Sequence, residues 1–422
     1  MPLLSHASTY ITRSRNPALV LNYLSGTVPA LLGGSAVRPT VLLALGICPD
    51  DADLARDHSS ALSDLVKYVH SWTAHADVVG CITAPPRVGG NASDALSCAL
   101  AVFPSTAARA FRVDYDEDGR VRVGRWHAFG PQSTGPQETI EGIRSEELVN
   151  KNLITLSASL TLPNAITRGR SLLNLHTSAT PFLTGLPHTL FFGKRIHERG
   201  CVGIALDADR PGEVDVKSDF AGMRRVDGEL YTVTEADGNL ITGLSGEKPT
   251  HHFLQAARKA GAAPAASLVE DQGFALGVVT DASEGTVTQM HSIISSDPSR
   301  GTLALEEGAY IPPGRHVAFF VREPSPSELG HDWLKRPARP TISFLNPSYV
   351  NPNAAYMDFS AMQKAEGDFS STPHLEDSSA TDITLPNTFL ASSEEGFSMT
   401  EGGRCRIGDA VGSMSFGEAA AK

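Results

Sequence analysis

Apolar residues in this chain come in short blocks, each closed by a turn residue, and that spacing dictates a strand-rich fold. Val41–Ile47 is a continuous apolar run closed by Pro49, and Asp77–Thr83 is another that ends at Pro85-Pro86. Runs of this length, bounded by Pro, Gly, Asp or Asn, read as strands covered on both faces. Ala95–Phe103, Leu153–Leu162, Cys201–Leu206, Phe274–Val279, Gly285–Ile294, Thr302–Leu305, Val317–Val321 and Thr341–Leu345 follow the same rule. None approaches the ~18 apolar residues that a membrane-crossing helix needs.

Helical signals are few. Asp57–Thr73 carries Leu62, Leu65, Val66 and Val69 on one face, the period of an amphipathic helix. Asn16 stands before Pro17 and predicts a capped helix over Pro17–Leu24. Pro249–Lys259 reads as a helix stopped by Gly261. Turn residues Asp116-Glu117-Asp118-Gly119 join Ala110–Tyr115 to Val121–Phe129, and Asp237-Gly238-Asn239 joins two further strand-like runs, so both predict hairpins. The elements of Gly169–Phe192 do not emerge from the pattern. The fold class expected is α+β with mixed, largely antiparallel sheets and a few packing helices.

The formal charge is −12, from 35 basic and 47 acidic residues. That balance argues against nucleic acid as a partner, because phosphate recognition needs clustered Lys and Arg. The acidity gathers in the last part: residues 351–422 carry 11 acids and 4 bases. Before Asp50 there is no acid, only Arg13, Arg15 and Arg38 as cations, a composition shared with mitochondrial presequences. Five widely spaced cysteines are odd in number and suit a reducing compartment better than a disulfide framework. The expected location is therefore cytoplasmic, with the mitochondrion as the alternative, and no membrane association.

Motifs of established chemistry are scarce. The chain holds no G-x-S-x-G, no phosphate-binding G-x-x-x-x-G-K-[ST], no H-E-x-x-H and no C-x-x-C. His251-His252 opens a helix, where adjacent side chains diverge by ~100° and do not readily share one metal ion. No metal site and no cofactor is expected. His197, Glu198 and Cys201 lie within five residues and offer a Cys–His pair, although a cysteine between glycines at a strand start more commonly fills a core. Cys81 and Cys48 sit in or beside apparent core strands and take the same plain reading. Gly80, Gly203, Gly228 and Gly277 lie in or beside strands, where a missing side chain marks close backbone approach or a ligand.

One stretch carries a family resemblance. Gly222-Met-Arg-Arg-Val-Asp-Gly228-Glu-Leu-Tyr-Thr-Val-Thr234-Glu-Ala-Asp-Gly-Asn239-Leu-Ile-Thr-Gly-Leu244-Ser-Gly246 resembles the joint between the two halves of FIST domains. Asp77-Val-Val-Gly80-Cys81-Ile-Thr83, Gly200-Cys201-Val-Gly203 and Gly301-Thr-Leu-Ala-Leu-Glu-Glu-Gly308 with Ile311-Pro-Pro-Gly314 are similar to further family segments. The likeness runs from about Thr9 to Glu323. Thr388–Gly396 stands where the family's closing segment is expected, in degenerate form.

This resemblance implies an N-terminal lobe over 1–222 and a C-terminal lobe over 223–422, with loops about 324–340 and 367–382. It implies a sensory, signal-transducing protein that binds a small polar metabolite such as an amino acid and does no catalysis. Thr83, Arg224 and Arg225 are the expected ligand contacts. The family's eukaryotic members imply an alternative, an adaptor with protein partners related to F-box substrate receptors of ubiquitin ligases. A cysteine-dependent enzyme is the third reading.

Overall fold

The computed structural model describes residues 8–14, 16–33, 38–47, 59–86, 96–115, 138–159, 162–179, 186–207, 214–220, 222–261, 273–281, 286–306, 309–322, 339–346, 383–400, 404–407 and 410–416. The expected strand Val121–Phe129 and segments 324–338 and 367–382 lie outside them. The architecture is mixed α+β, with sheet predominating.

The first sheet grows from the run at 40–46. Strand Thr40–Gly46 is buried at every position, so it has no wet face and must be covered twice. Helix Ser59–Trp72 leads from it to strand Asp77–Thr83, which lies parallel to it in register Thr40↔Asp77. A parallel pair needs such a crossover. Strands Leu96–Phe103 and Ser8–Ser14 extend the sheet on one side, and Leu190–Phe192 and Arg195–His197 on the other. Helix Pro17–Gly33 continues past the expected end at Leu24 because Val20, Leu24 and Val28 share one buried face against Val41, Leu43 and Leu45.

The second sheet orders its strands Arg404–Cys405, Phe397–Met399, Ser171–His176, Asn152–Ser157, Cys201–Leu206, Ala108–Asp114 and Thr139–Glu141. It stacks on the first through the inward residues of both: Leu42, Ala44, Val79 and Cys81 meet Ile154, Leu156, Leu173 and Val202 in one core. A third sheet, Val214–Phe220, Ala410–Phe416, Thr341–Leu345 and Thr388–Ser392, contributes Phe344, Phe389 and Phe416 to the same core. There the Phe416 ring stands edge-on to Phe103, with centroids 5.4 Å apart.

The fourth sheet closes on itself. Strand His316–Arg322 pairs on one side with Met223–Arg225 and Tyr231–Asp237 and on the other with Phe274–Asp281; Leu240–Leu244, Thr302–Leu305 and Thr286–Asp297 complete the ring. The result is an antiparallel barrel whose interior is filled by Val233, Leu276, Phe319 and, from helix Pro249–Lys259, Phe253 and Ala256. Its outward residues Ala275, Val279, Ala318 and Phe320 are buried too, in the core of the other three sheets. Both faces of strand 274–281 are therefore apolar, which is why its sequence shows a run and not an alternation.

Pairing partners change between Phe220 and Met223: the strand before belongs to the third sheet and the strand after to the barrel. Strands of the expected lobe 223–422 also pair with strands that precede it. Ile383–Pro386 pairs with Ser8–Ser14, Phe397–Met399 pairs with Ser171–His176, and Ala410–Phe416 pairs with Val214–Phe220. The reason is edge coverage, since each of these late strands satisfies backbone groups that an earlier strand leaves open.

Gly80 is a case of close backbone approach. A Cβ there would lie 2.5 Å from the Leu43 carbonyl oxygen, and Gly203 meets the Ile154 carbonyl at the same distance. Gly80→Val should lower stability by about 1–3 kcal/mol, because the neighbouring backbone must give way. Chemical denaturation checks this, and an unchanged midpoint would refute the tight packing between 40–46 and 77–83.

Candidate ligand site

Among the described residues three pairs of strands run parallel: 40–46 with 77–83, 152–157 with 171–176, and 341–345 with 388–392. The carboxyl ends of parallel strands are where open α/β sheets commonly place function, and here the ends of 77–83, 171–176 and 388–392 meet. Thr83, the expected ligand contact, donates to the Ser392 carbonyl oxygen at 2.8 Å, and Ser392 Oγ donates to the Ala84 carbonyl at 3.1 Å. Ser178 Oγ lies 3.5 Å from Thr83 Oγ1 and 3.0 Å from Ser393 Oγ, and donates to the Glu394 carboxylate at 2.7 Å.

A second polar layer stands behind this one. His176 Nδ1 lies 2.8 Å from the Ser159 carbonyl oxygen, so Nδ1 carries the proton and Nε2 accepts from the Ser398 hydroxyl at 2.6 Å. The Asn174 amide reaches the same Nε2 at 3.3 Å, and its Oδ1 accepts from Thr155 at 2.8 Å. A hydroxyl, an imidazole and an orienting carbonyl form the pattern of an activated nucleophile. Yet Ser398 is 4% exposed and His176 1%, and both lie within the ladder joining 397–399 to 171–176. The arrangement fastens a late strand onto an early sheet.

An open cleft lies instead between the edges of the first two sheets. It encloses about 780 Å³ and is lined by Arg112, Asp114, Tyr115, Thr139, Leu186, Ile196, His197, Glu198 and Arg199. Arg112 is the deepest charge, its side chain 7% exposed. Its Nη2 lies 2.9 Å from Asp114 and its Nη1 3.2 Å from Glu141, a carboxylate that also binds Arg195. Burial, then the nearby Arg112 and Arg195 cations, hold the His197 imidazole below the usual histidine range. Arg112 Nε and His197 Nε2 meet no hydrogen-bond partner among the described residues.

The remaining expected contacts lie elsewhere. Arg224 and Arg225 belong to the barrel strand Met223–Arg225, where Arg224 is exposed and Arg225 donates to the carbonyls of Gly228 and Glu229, both at 2.9 Å. A guanidinium occupied by its own turn does not join Thr83, so the three residues form no common site. His251 is exposed and His252 nearly buried against Tyr231, with Glu247 between them. No group of three or more His, Cys, Asp or Glu side chains able to hold a metal ion occurs among the described residues.

Cys201 packs in the apolar layer with Phe111 and Leu153, and burial pushes its thiol up to about 12. Burial also raises Cys81, and Cys98 and Cys405 to about 12. Buried, protonated thiols are the opposite of what a nucleophilic cysteine needs. Cys48 lies outside the described residues.

Sequence reading missed Arg112, Asn174, His176, Ser178, Glu394 and Ser398. Nothing local marks them, because each gains its meaning from a strand far away in sequence. No helix among the described residues is long and apolar enough to cross a membrane.

Comparison with known proteins gives distant relatives only. The chain is 25% identical over 283 residues to "Uncharacterized protein Rv0628c" of Mycobacterium tuberculosis, covering 64% of this chain and 67% of that protein. It is 25% identical over 288 residues to "Uncharacterized protein Mb0898c" of Mycobacterium bovis, covering 64% and 66%. No family model matches the sequence, and no solved structure matches it.

Two outcomes follow for the buried polar and sulfur groups. Ser398→Ala removes the hydroxyl on His176 and should lower stability by about 1–3 kcal/mol, measured by denaturant unfolding. Alkylation mapped peptide by peptide should leave Cys81, Cys98, Cys201 and Cys405 unmodified until the chain unfolds; rapid labelling of Cys201 in the folded protein would restore the cysteine-enzyme reading.

Proposed function

We propose that this chain is a FIST-type sensory protein that binds a small polar metabolite, such as an amino acid, in the cleft beside Arg112 and His197, and that it acts by binding and not by catalysis. The observation that carries this reading is the cleft itself: about 780 Å³, a size suited to small molecules, with a buried guanidinium in its wall. Mixed charge supports a polar ligand. Arg112 and Arg199 stand with Asp114 and Glu198 around the same space. In this reading the two lobes are the stacked sheets that hold the cleft and the barrel that begins at Met223. Occupancy alters how they pack, and that movement is the signal.

Differential scanning fluorimetry of the full chain against amino acids, small carboxylic acids, amines and sugars tests the proposal. At least one class should raise the melting temperature in proportion to the logarithm of its concentration. Glu198→Gln, at the rim of the cleft, should change that shift without altering the melting temperature of the free protein. If no compound stabilises the chain, the binding reading fails.

A further inference from the structure

Arg112 presents half of a fork. A guanidinium carries five N–H donors, and its Nε–H and the adjacent Nη2–H point the same way, matched to the two oxygens of one carboxylate. Asp114 Oδ2 stands in an ion pair 2.9 Å from Nη2, while Nε has no partner among the described residues. Glu141 occupies Nη1 at 3.2 Å on the other side. A buried cation is thus held by one-pronged contacts where a two-pronged one is available. A missed hydrogen bond to a buried charged group is costly.

The groups around the fork differ in mobility. Asp114 is 49% exposed, so its carboxylate returns to water at little expense. Arg112, at 7%, stays in the wall. His197 Nε2 is the second buried nitrogen of the cleft without a partner. What is left unused is donor capacity, and a ligand that completes it must bring acceptors.

We propose that the Nε/Nη2 fork of Arg112 is the anchor for the carboxylate of the ligand, which displaces Asp114 and draws His197 into contact. This rests on the reading of the cleft as a binding site and names the ligand group that the site reads. The exchange replaces one carboxylate by another, so the charge around Arg112 is conserved while one more hydrogen bond forms.

A proton accompanies the exchange. Charged groups face His197 from its own strand (Arg195), from 108–114 (Arg112 and Asp114), from 139–141 (Glu141) and from the adjoining Glu198 and Arg199. In the free protein the imidazole is held neutral by burial, Arg112 and Arg195. A ligand carboxylate beside it favours the imidazolium, so binding takes up a proton. Affinity then rises as pH falls from the bound-state pKa to the lower free-state pKa, and is flat outside that window.

Isothermal titration with succinate, succinamide, 1,4-diaminobutane and inorganic phosphate, at about pH 6 and about pH 8, tests the assignment. Succinate should bind, more tightly at the lower pH, and the neutral diamide and the diamine should not. Arg112→Lys, which keeps the charge and loses the fork, should weaken succinate by about tenfold or more. Asp114→Asn removes the competing carboxylate and should tighten it severalfold. His197→Asn should abolish the pH dependence.

Weaker binding in Asp114→Asn, or unchanged binding in a folded Arg112→Lys, overturns the anchor. Phosphate binding more tightly than succinate with the same Arg112 dependence overturns the carboxylate assignment. Binding of diamide or diamine without Arg112 dependence sinks this inference and spares the sensory reading. Failure of every ligand class in the fluorimetric panel sinks both.

Discussion

One apolar core supports all four sheets. Its members come from the inner faces of the two stacked sheets, from the third sheet and from the outside of the barrel. The barrel therefore has a core within and a second one against part of its outer face, where Ala275, Val279, Ala318 and Phe320 are buried. Burial of this extent is worth about 25 cal/mol per Å² of apolar surface, which outweighs any single polar contact in the molecule. Polar groups decide geometry here, and apolar area decides whether there is a fold to orient.

The local plan was legible because it depends on neighbours in sequence. Asp77–Thr83, Cys201–Leu206, Thr302–Leu305 and Thr341–Leu345 are strands at the bounds their apolar runs predict, and Pro249–Lys259 is a helix closed by Gly261 in the left-handed conformation. Ser171–His176 escaped notice because Asn174 and His176 interrupt its apolar pattern with polar side chains that face a buried network. Ala410–Phe416 has no continuous apolar run, because Gly412 and two serines interrupt it, and Gly412 lies against the Phe397 ring.

None of the three expected contacts lines the cleft beside Arg112 and His197. Thr83 closes a parallel strand, the kind of position where open α/β sheets commonly place function, and here its hydroxyl is occupied by the Ser392 carbonyl. Arg224 and Arg225 lie at the joint that the resemblance marks, but charge does not report direction, and Arg225 turns back on its own loop. Arg112 sits mid-strand between Phe111 and Val113 and looks like an exposed position of an alternating strand. Only the pairing with Thr139–Glu141 and the approach of Arg195–His197 make it a wall.

The late strands also impose an order on biosynthesis. Ser392 bonds to Ala84 across 308 positions of sequence, and Ile383–Pro386 covers the edge left by the strand that emerges first. During translation the early sheets wait with open edges while most of the polypeptide is still being made. Open strand edges of this kind are surfaces on which neighbouring nascent chains can pair.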